Sequence, residues 1–193
     1  MPLSPGQLIL DRYRIDGRIA QGGMGAVHDA FDTRLNIRCA IKENQLVTET
    51  ALRQFEREAQ LLAKLRHPNL PRVTDHFLIP AQGQYLVMDF VEGEDLGERL
   101  KRLGPLPEAD VLRWAEAVLS ALAHLHARGV IHRDIKPGNI KITPEGDTVL
   151  VDFGIAKEMG GEGGLTTTGA RAFTPGFAPP EQYGVGARRT DAR

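Results

Sequence analysis

The sequence predicts an α+β fold in two lobes, an antiparallel sheet on the N-terminal side and a helical body on the C-terminal side. Three observations carry this. Short apolar runs between about Tyr13 and Glu43 are broken by QGGMG and DTRLN, the pattern of two hairpin-connected strands followed by a third. From about 107 to 128, Val111, Trp114, Ala115, Val118, Leu119, Leu122 and Leu125 recur at helical spacing, with Gly129 just past the end. Between these regions the polar GEDL stretch that follows QYLVMDF reads as a joint between the lobes.

A helix is predicted over about 49 to 65, where Leu52, Phe55, Ala59, Leu62 and Leu65 lie three or four apart; His67-Pro68-Asn69 stops it. Glu58 shares a face with Phe55 and Leu62, so it sits at the edge of an apolar stripe or aims at a cation across an interface. Strands follow at about 71 to 78 and 84 to 90. The apolar face of the 107 to 128 helix is expected to be core, and His124 and His126 near its C-terminal end meet the helix dipole favourably. Next come IHRDIKPGNI, a short strand, a PEGD turn and TVLVDFG. The Gly- and Thr-rich segment 160 to 176 has little to bury and is expected to be mobile. There is no internal repeat.

The 193 residues suffice for one large domain or two small lobes, and the 41% hydrophobic content is ordinary for a globular chain. Lys plus Arg 24 against Asp plus Glu 25 gives a net charge of −1, which removes the usual electrostatic case for nucleic acid or an anionic membrane as partner. The single Cys39 lies in the apolar run CAI and reads as an interior thiol in a reducing compartment, so a cytoplasmic location is expected. The N-terminal MPLSPGQLILDRYRI lacks the pattern of a signal peptide, and no window approaches 18 apolar residues.

The chemistry-bearing residues fall into an ordered series. In AQGGMGAV, residues 20 to 27, glycines between two strands let backbone N–H groups close on phosphate oxygens, although such a stretch is more often only a turn. Lys42 ends the strand RCAIK; it is a solvated cap or, paired with Glu58, a phosphate-holding cation. Asp152 ends the strand TVLV, where a hard cation could bind through oxygen, and Asn139 supplies a second oxygen near Asp134. In IHRDIKPGNI, His132, Arg133, Asp134, Lys136 and Asn139 stand between isoleucines that enter and leave a core, so these polar groups need partners or a ligand.

A glycine loop after a strand, a strand lysine, a helix glutamate, HRDIKPGN and DFG, in that order, resemble the eukaryotic-like protein kinase family in its bacterial serine/threonine form. The resemblance covers the chain from about Tyr13 to its end. It implies a protein-kinase-like two-lobe fold: an N-terminal extension at 1–12, an N-lobe with its helix at 13–91, and an incomplete helical C-lobe at 92–193. It implies that Ala20, Gly22, Gly25 and Val27 cover ATP, Ala40 and Met88 line the adenine pocket, and the backbones of Asp89 and Val91 meet the adenine edge. Asp95 would reach the ribose, and Lys42, paired with Glu58, the α and β phosphates. Asp134 would be the catalytic base, Lys136 would steady the transferring phosphoryl group, and Asn139 and Asp152 would hold Mg²⁺, with Mn²⁺ as a substitute. His132 and Phe153 would mainly pack.

The implied function is ATP-dependent phosphoryl transfer to Ser or Thr hydroxyls of protein substrates, Lys136 being the serine/threonine form of its position. The alternative is a pseudokinase or ATP-binding scaffold without turnover. Thr174 and Glu181 resemble the family's substrate platform. Thr166, Thr167 and Thr168, with Arg133 before the base, point to autophosphorylation of the activation segment, for which a dimer would serve. Three departures stand out: Ala20 replaces the first glycine at some loss of loop freedom, Ala-Pro-Glu becomes Pro179-Pro180-Glu181, and the chain stops where the family continues into later C-lobe helices. A parent anchored in a membrane through sequence beyond Arg193 is compatible with this, and the 193 residues alone are expected to be unstable and poorly active.

Overall fold

The computed structural model describes residues 3–22, 25–45, 48–152 and 176–178. The chain divides into two units, Met1–Leu65 with Arg72–Phe90, and Arg66–Pro71 with Val91–Arg193.

The first unit is a six-stranded antiparallel sheet with one helix. Its strands are β1 (Leu8–Ile9), β2 (Tyr13–Gly22), β3 (Gly25–Asp32), β4 (Ile37–Asn44), β5 (Val73–Ile79) and β6 (Gly83–Asp89), in the order β1-β2-β3-β4-β6-β5. The three strands expected between Tyr13 and Glu43 are β2, β3 and β4. Strand β1 lies within the stretch read as an N-terminal extension; it exists through its pairing with β2, Leu8 opposite Arg14 and Ile9 opposite Tyr13.

Register decides what each face carries. Val27 lies opposite Lys42, Lys42 opposite Leu86, and Ala40 opposite Met88, so these five share one face. The other face supplies Ala30, Cys39, Ile41, Tyr85 and Val87 to a core closed by Leu3, Ile9, Tyr13 and Ile15. Three rings form a stacked column through that core, Tyr13 to Phe77 at 5.7 Å and Phe77 to Tyr85 at 5.2 Å between centroids. Cys39 is buried, and burial pushes its thiol up to about 11, as expected of an interior cysteine.

Helix α1 (Glu49–Leu62) starts at Thr48, whose side chain accepts the Ala51 N–H. It buries Phe55, Ala59 and Leu62 as expected, but in the first turn Ala51 is buried and Leu52 only half-buried, and Leu65 is buried beyond the end of the helix. Gln84 Nε2 donates to Leu52 O at 2.7 Å, tying β6 to the helix. Phe55 is fully buried, so Phe55→Ala should cost about 3–5 kcal/mol. At the opposite edge Arg12 reaches Asp32 at 2.7 Å and Asp75 at 3.2 Å, and the Tyr13 hydroxyl donates to Asp75 at 2.6 Å. The hydrogen bond from Arg12 holds the Asp32 carboxyl below its usual range, helped by the Leu35 and Arg34 N–H groups.

The second unit holds β7 (Glu94–Asp95), α2 (Leu96–Leu103), α3 (Glu108–His126), β8 (Ile140–Ile142) and β9 (Thr148–Leu150), with a three-stranded sheet β7-β8-β9. The stretch read as a polar joint contains α2, with Asp95 as its N-cap and Gly104 at its C-cap at φ 73°. Helix α3 buries Trp114, Val118, Ala121 and Leu125. Its apolar face therefore differs from the expectation: Ala115 is exposed, as are Val111 at 45% and Leu119 at 64%. Positions 114, 118, 121 and 125 trace a narrower stripe, rotated from the centre of the seven-residue band. His124 lies in the last turn of α3, as expected. Burial lowers its pKa, with Arg128 and His67 adding to the effect. His67, whose ring lies 5.0 Å from that of His124, precedes Asn69, which bonds to both ends of β9. Asn69 Nδ2 donates to Thr148 O at 2.8 Å, and Asn69 O accepts from Leu150 N at 2.9 Å.

Among the described residues no helix is long and apolar enough to cross a membrane.

Candidate active site

In the first unit the glycine-rich stretch continues two strands. Ala20 lies opposite Val27, Gln21 opposite Ala26 and Gly22 opposite Gly25. Ala20 is not among the residues at positive φ, so the extended strand suits alanine and its loss of freedom is immaterial there. Gly25 is required for a different reason: a Cβ would overlap the Glu43 carbonyl oxygen. Lys42 is half-buried in β4 between Val27 and Leu86, and Glu58 is half-buried on α1. Ala40 and Met88, directly opposed, are 8% and 6% exposed. The Asp89 N–H donates to Arg72 O at 2.9 Å, and its carboxylate accepts from Arg72 Nε at 3.0 Å. An adenine contact through the Asp89 backbone must therefore use its carbonyl.

In the second unit Val91 is half-buried, and Asp95 Oδ1 accepts the Glu98 N–H at 2.9 Å. A residue expected at a ribose thus also starts a helix. Among the described residues of this unit, the loop 131–140 gathers several buried polar side chains. Asp134 is 8% exposed and Asn139 5%. Asn139 Nδ2 donates to Asp134 O at 2.7 Å and to Asp134 Oδ2 at 3.0 Å, and Lys136 Nζ meets the same Oδ2 at 2.9 Å. With its nitrogen committed to Asp134, Asn139 presents Oδ1 as its acceptor end. A short 3₁₀ turn, Pro137–Asn139, brings Asn139 back toward Asp134, and Val151 N donates to Asn139 O at 2.9 Å. That bond places Asp152, one residue on, beside the same turn. Arg133 and Asp152 both adopt positive φ, 66° and 62°, conformations that a β-branched residue would resist.

His132 does more than pack. Its Nε2 donates to Val151 O at 3.1 Å and its Nδ1 faces the Asp134 N–H at 3.4 Å, so one imidazole links Asp134 to the strand that leads to Asp152. A histidine directly after the apolar pair Val130-Ile131 was the available signal. Sequence reasoning also missed His28 and Glu43, a buried pair on the face of the sheet opposite Lys42. Phe153, Thr166, Thr167, Thr168, Thr174 and Glu181 lie outside the described residues.

A family model described as "Protein kinase domain" matches residues 13–191. Over 184 residues the chain is 40% identical to the serine/threonine-protein kinase PknA of Mycobacterium tuberculosis, covering 92% of this chain and 42% of that protein. The chain thus spans less than half the length of this curated relative. Among solved structures it resembles one titled "PpkA-294 apo form", with a TM-score of 0.75 and 32% identity over 94% of this chain and 71% of the other. The kinase domain of Mycobacterium tuberculosis PknI gives a TM-score of 0.67 and 30% identity, over 80% of this chain and 64% of that one.

Proposed function

Since the chain belongs to the protein kinase domain family, we propose that it transfers the γ-phosphoryl group of ATP to serine and threonine hydroxyls of protein substrates. The observation that carries this reading is the convergence of Lys136 and Asn139 on one oxygen of a buried carboxylate, Asp134. Phosphoryl transfer asks little covalent chemistry of a protein; it asks for positioned charge. Asp134, held in one orientation, accepts the proton of the attacking hydroxyl, and the Lys136 ammonium, 2.9 Å from the Asp134 carboxylate, offsets charge on the transferring group. Lys42, steadied by Glu58, binds the α and β phosphates beside the turn carried by Ala20, Gly22, Gly25 and Val27. Ala40, Met88, the Asp89 carbonyl and Val91 receive adenine, and Asp95 the ribose.

The donor set suits a hard divalent cation. Asn139 offers Oδ1 once its nitrogen is committed, and the Asp152 carboxylate lies one residue beyond a main-chain bond to Asn139. These two residues would hold Mg²⁺, or Mn²⁺ in its place. When bound, the ion neutralises phosphate charge.

The partners in this reading are proteins bearing Ser or Thr, met in the cytoplasm, with a dimer serving autophosphorylation. A phosphate on Thr166, Thr167 or Thr168 would bring about −1.5 to −2 charge to pair with Arg133, and Thr174 and Glu181 would form the substrate platform. Protein containing the whole sequence, incubated with labelled ATP, Mg²⁺ and a generic basic protein, should yield phosphoserine or phosphothreonine that chelation abolishes. Label that stays on nucleotide, or that appears on a small-molecule hydroxyl instead, would reject the reading.

A further inference from the structure

His28 and Glu43 form a buried pair for which the nucleotide-binding residues offer no use. His28 Nε2 meets Glu43 Oε2 at 3.1 Å, with side chains only 2% and 1% exposed. The Tyr85 hydroxyl faces Glu43 Oε1 from β6 at 3.5 Å, and burial pushes that phenol up to about 12, so it stays a donor at neutral pH. The main-chain carbonyl of Glu43 packs against Gly25 so closely that no Cβ fits. One residue thus engages β3, β6 and the end of the β2–β3 hairpin, and it directly follows Lys42.

We infer that His28 and Glu43 are positioning residues whose contact fixes the β3–β4 register and, with it, the placement of Lys42 beside the glycine turn. Neighbouring strand residues point to opposite faces, so a slip of one position would exchange Lys42 for Glu43 on the nucleotide side. The apolar run Cys39-Ala40-Ile41 resists such a slip weakly, since each of its members tolerates burial. A buried polar pair resists it strongly, because only one register gives both groups a partner. In the observed register, Val27 opposite Lys42 and His28 opposite Ile41, the imidazole reaches Glu43 on the core face. The functional consequence rests on the kinase reading above.

The test compares affinity for Mg·ATP with affinity for adenosine, by calorimetric titration of protein containing the whole sequence, because Lys42 and the glycine turn serve phosphates and not the base. Wild type should prefer ATP, and Lys42→Met should remove the preference; if either fails, the kinase reading fails, and this inference with it. Given that preference, His28→Ala and Glu43→Ala should each lower the ATP-to-adenosine affinity ratio by about fivefold or more, with adenosine binding within about twofold of wild type. Glu43→Gln, which keeps a hydrogen-bonding head of the same shape, should restore the ratio to within about twofold. If the alanine variants do not melt cooperatively, the double variant His28→Leu with Glu43→Met, which refills the core without the hydrogen bond, is read in the same way. An unchanged ratio in a folded variant would show that the pair supports stability alone and overturn the inference.

Discussion

Asn139 holds Asp134 by two hydrogen bonds from a single nitrogen, one to the carbonyl and one to the carboxylate. Both residues are buried, so removing the amide takes one donor from the Asp134 carbonyl and one from its carboxylate in a site that water reaches poorly. Asn139→Ala should therefore destabilise the second unit by about 1–3 kcal/mol as well as weaken divalent-cation binding. Urea denaturation read through Trp114, and Mn²⁺ titration followed by paramagnetic relaxation, would check the two effects. A variant with unchanged stability would mean that the bonds are dispensable.

The Arg12–Asp32 bridge at the end of β3 makes the first unit acid-sensitive. The folded Asp32 carboxyl titrates below its unfolded value of about 3.9, so its contribution is full above that value and is lost as pH falls through the lower folded one. Asp32→Asn should lower stability at pH 7 while flattening the dependence below about pH 4. Urea midpoints at pH 3, 5 and 7 measure this. Parallel curves for variant and wild type would contradict it.

How much of this was legible in the sequence depended on how local each signal was. Phe55, Ala59 and Leu62 are buried along α1 as their spacing required, with Ala51 in place of Leu52 in the first turn, and Lys42 sits on a predicted strand. Helix α2 was obscured because LGERLKRL buries no residue; its signals were the caps, Asp95 before it and Gly104 after it. Strand β1 is two residues long and is defined by its partner, which no local pattern reveals. Periodicity located α3 but not the width of its buried stripe, which packing against β9 decides. The His28–Glu43 pair was invisible because alternation predicts which face a residue takes, not which neighbour it meets there.

Gly93 carries a prediction about the chain next to Asp95. Its φ is 109°, and a Cβ there would run into the Ile142 carbonyl, so both torsion and space exclude a side chain. Gly93→Ala should cost about 1–3 kcal/mol and disturb the pairing of Glu94 with Ile142. Thermal denaturation and amide exchange of β8 would show it. Wild-type protection in β8 would mean that the backbone relaxes without loss.

The most direct test of the central claim is the rate at which Asp134→Asn protein, containing the whole sequence, moves label from ATP to a generic basic protein. Asparagine keeps the shape that Asn139 and Lys136 grip but cannot take the hydroxyl proton. Turnover should fall by about 10³ or more, with Mg·ATP affinity little changed. Turnover equal to that of the wild type would contradict it.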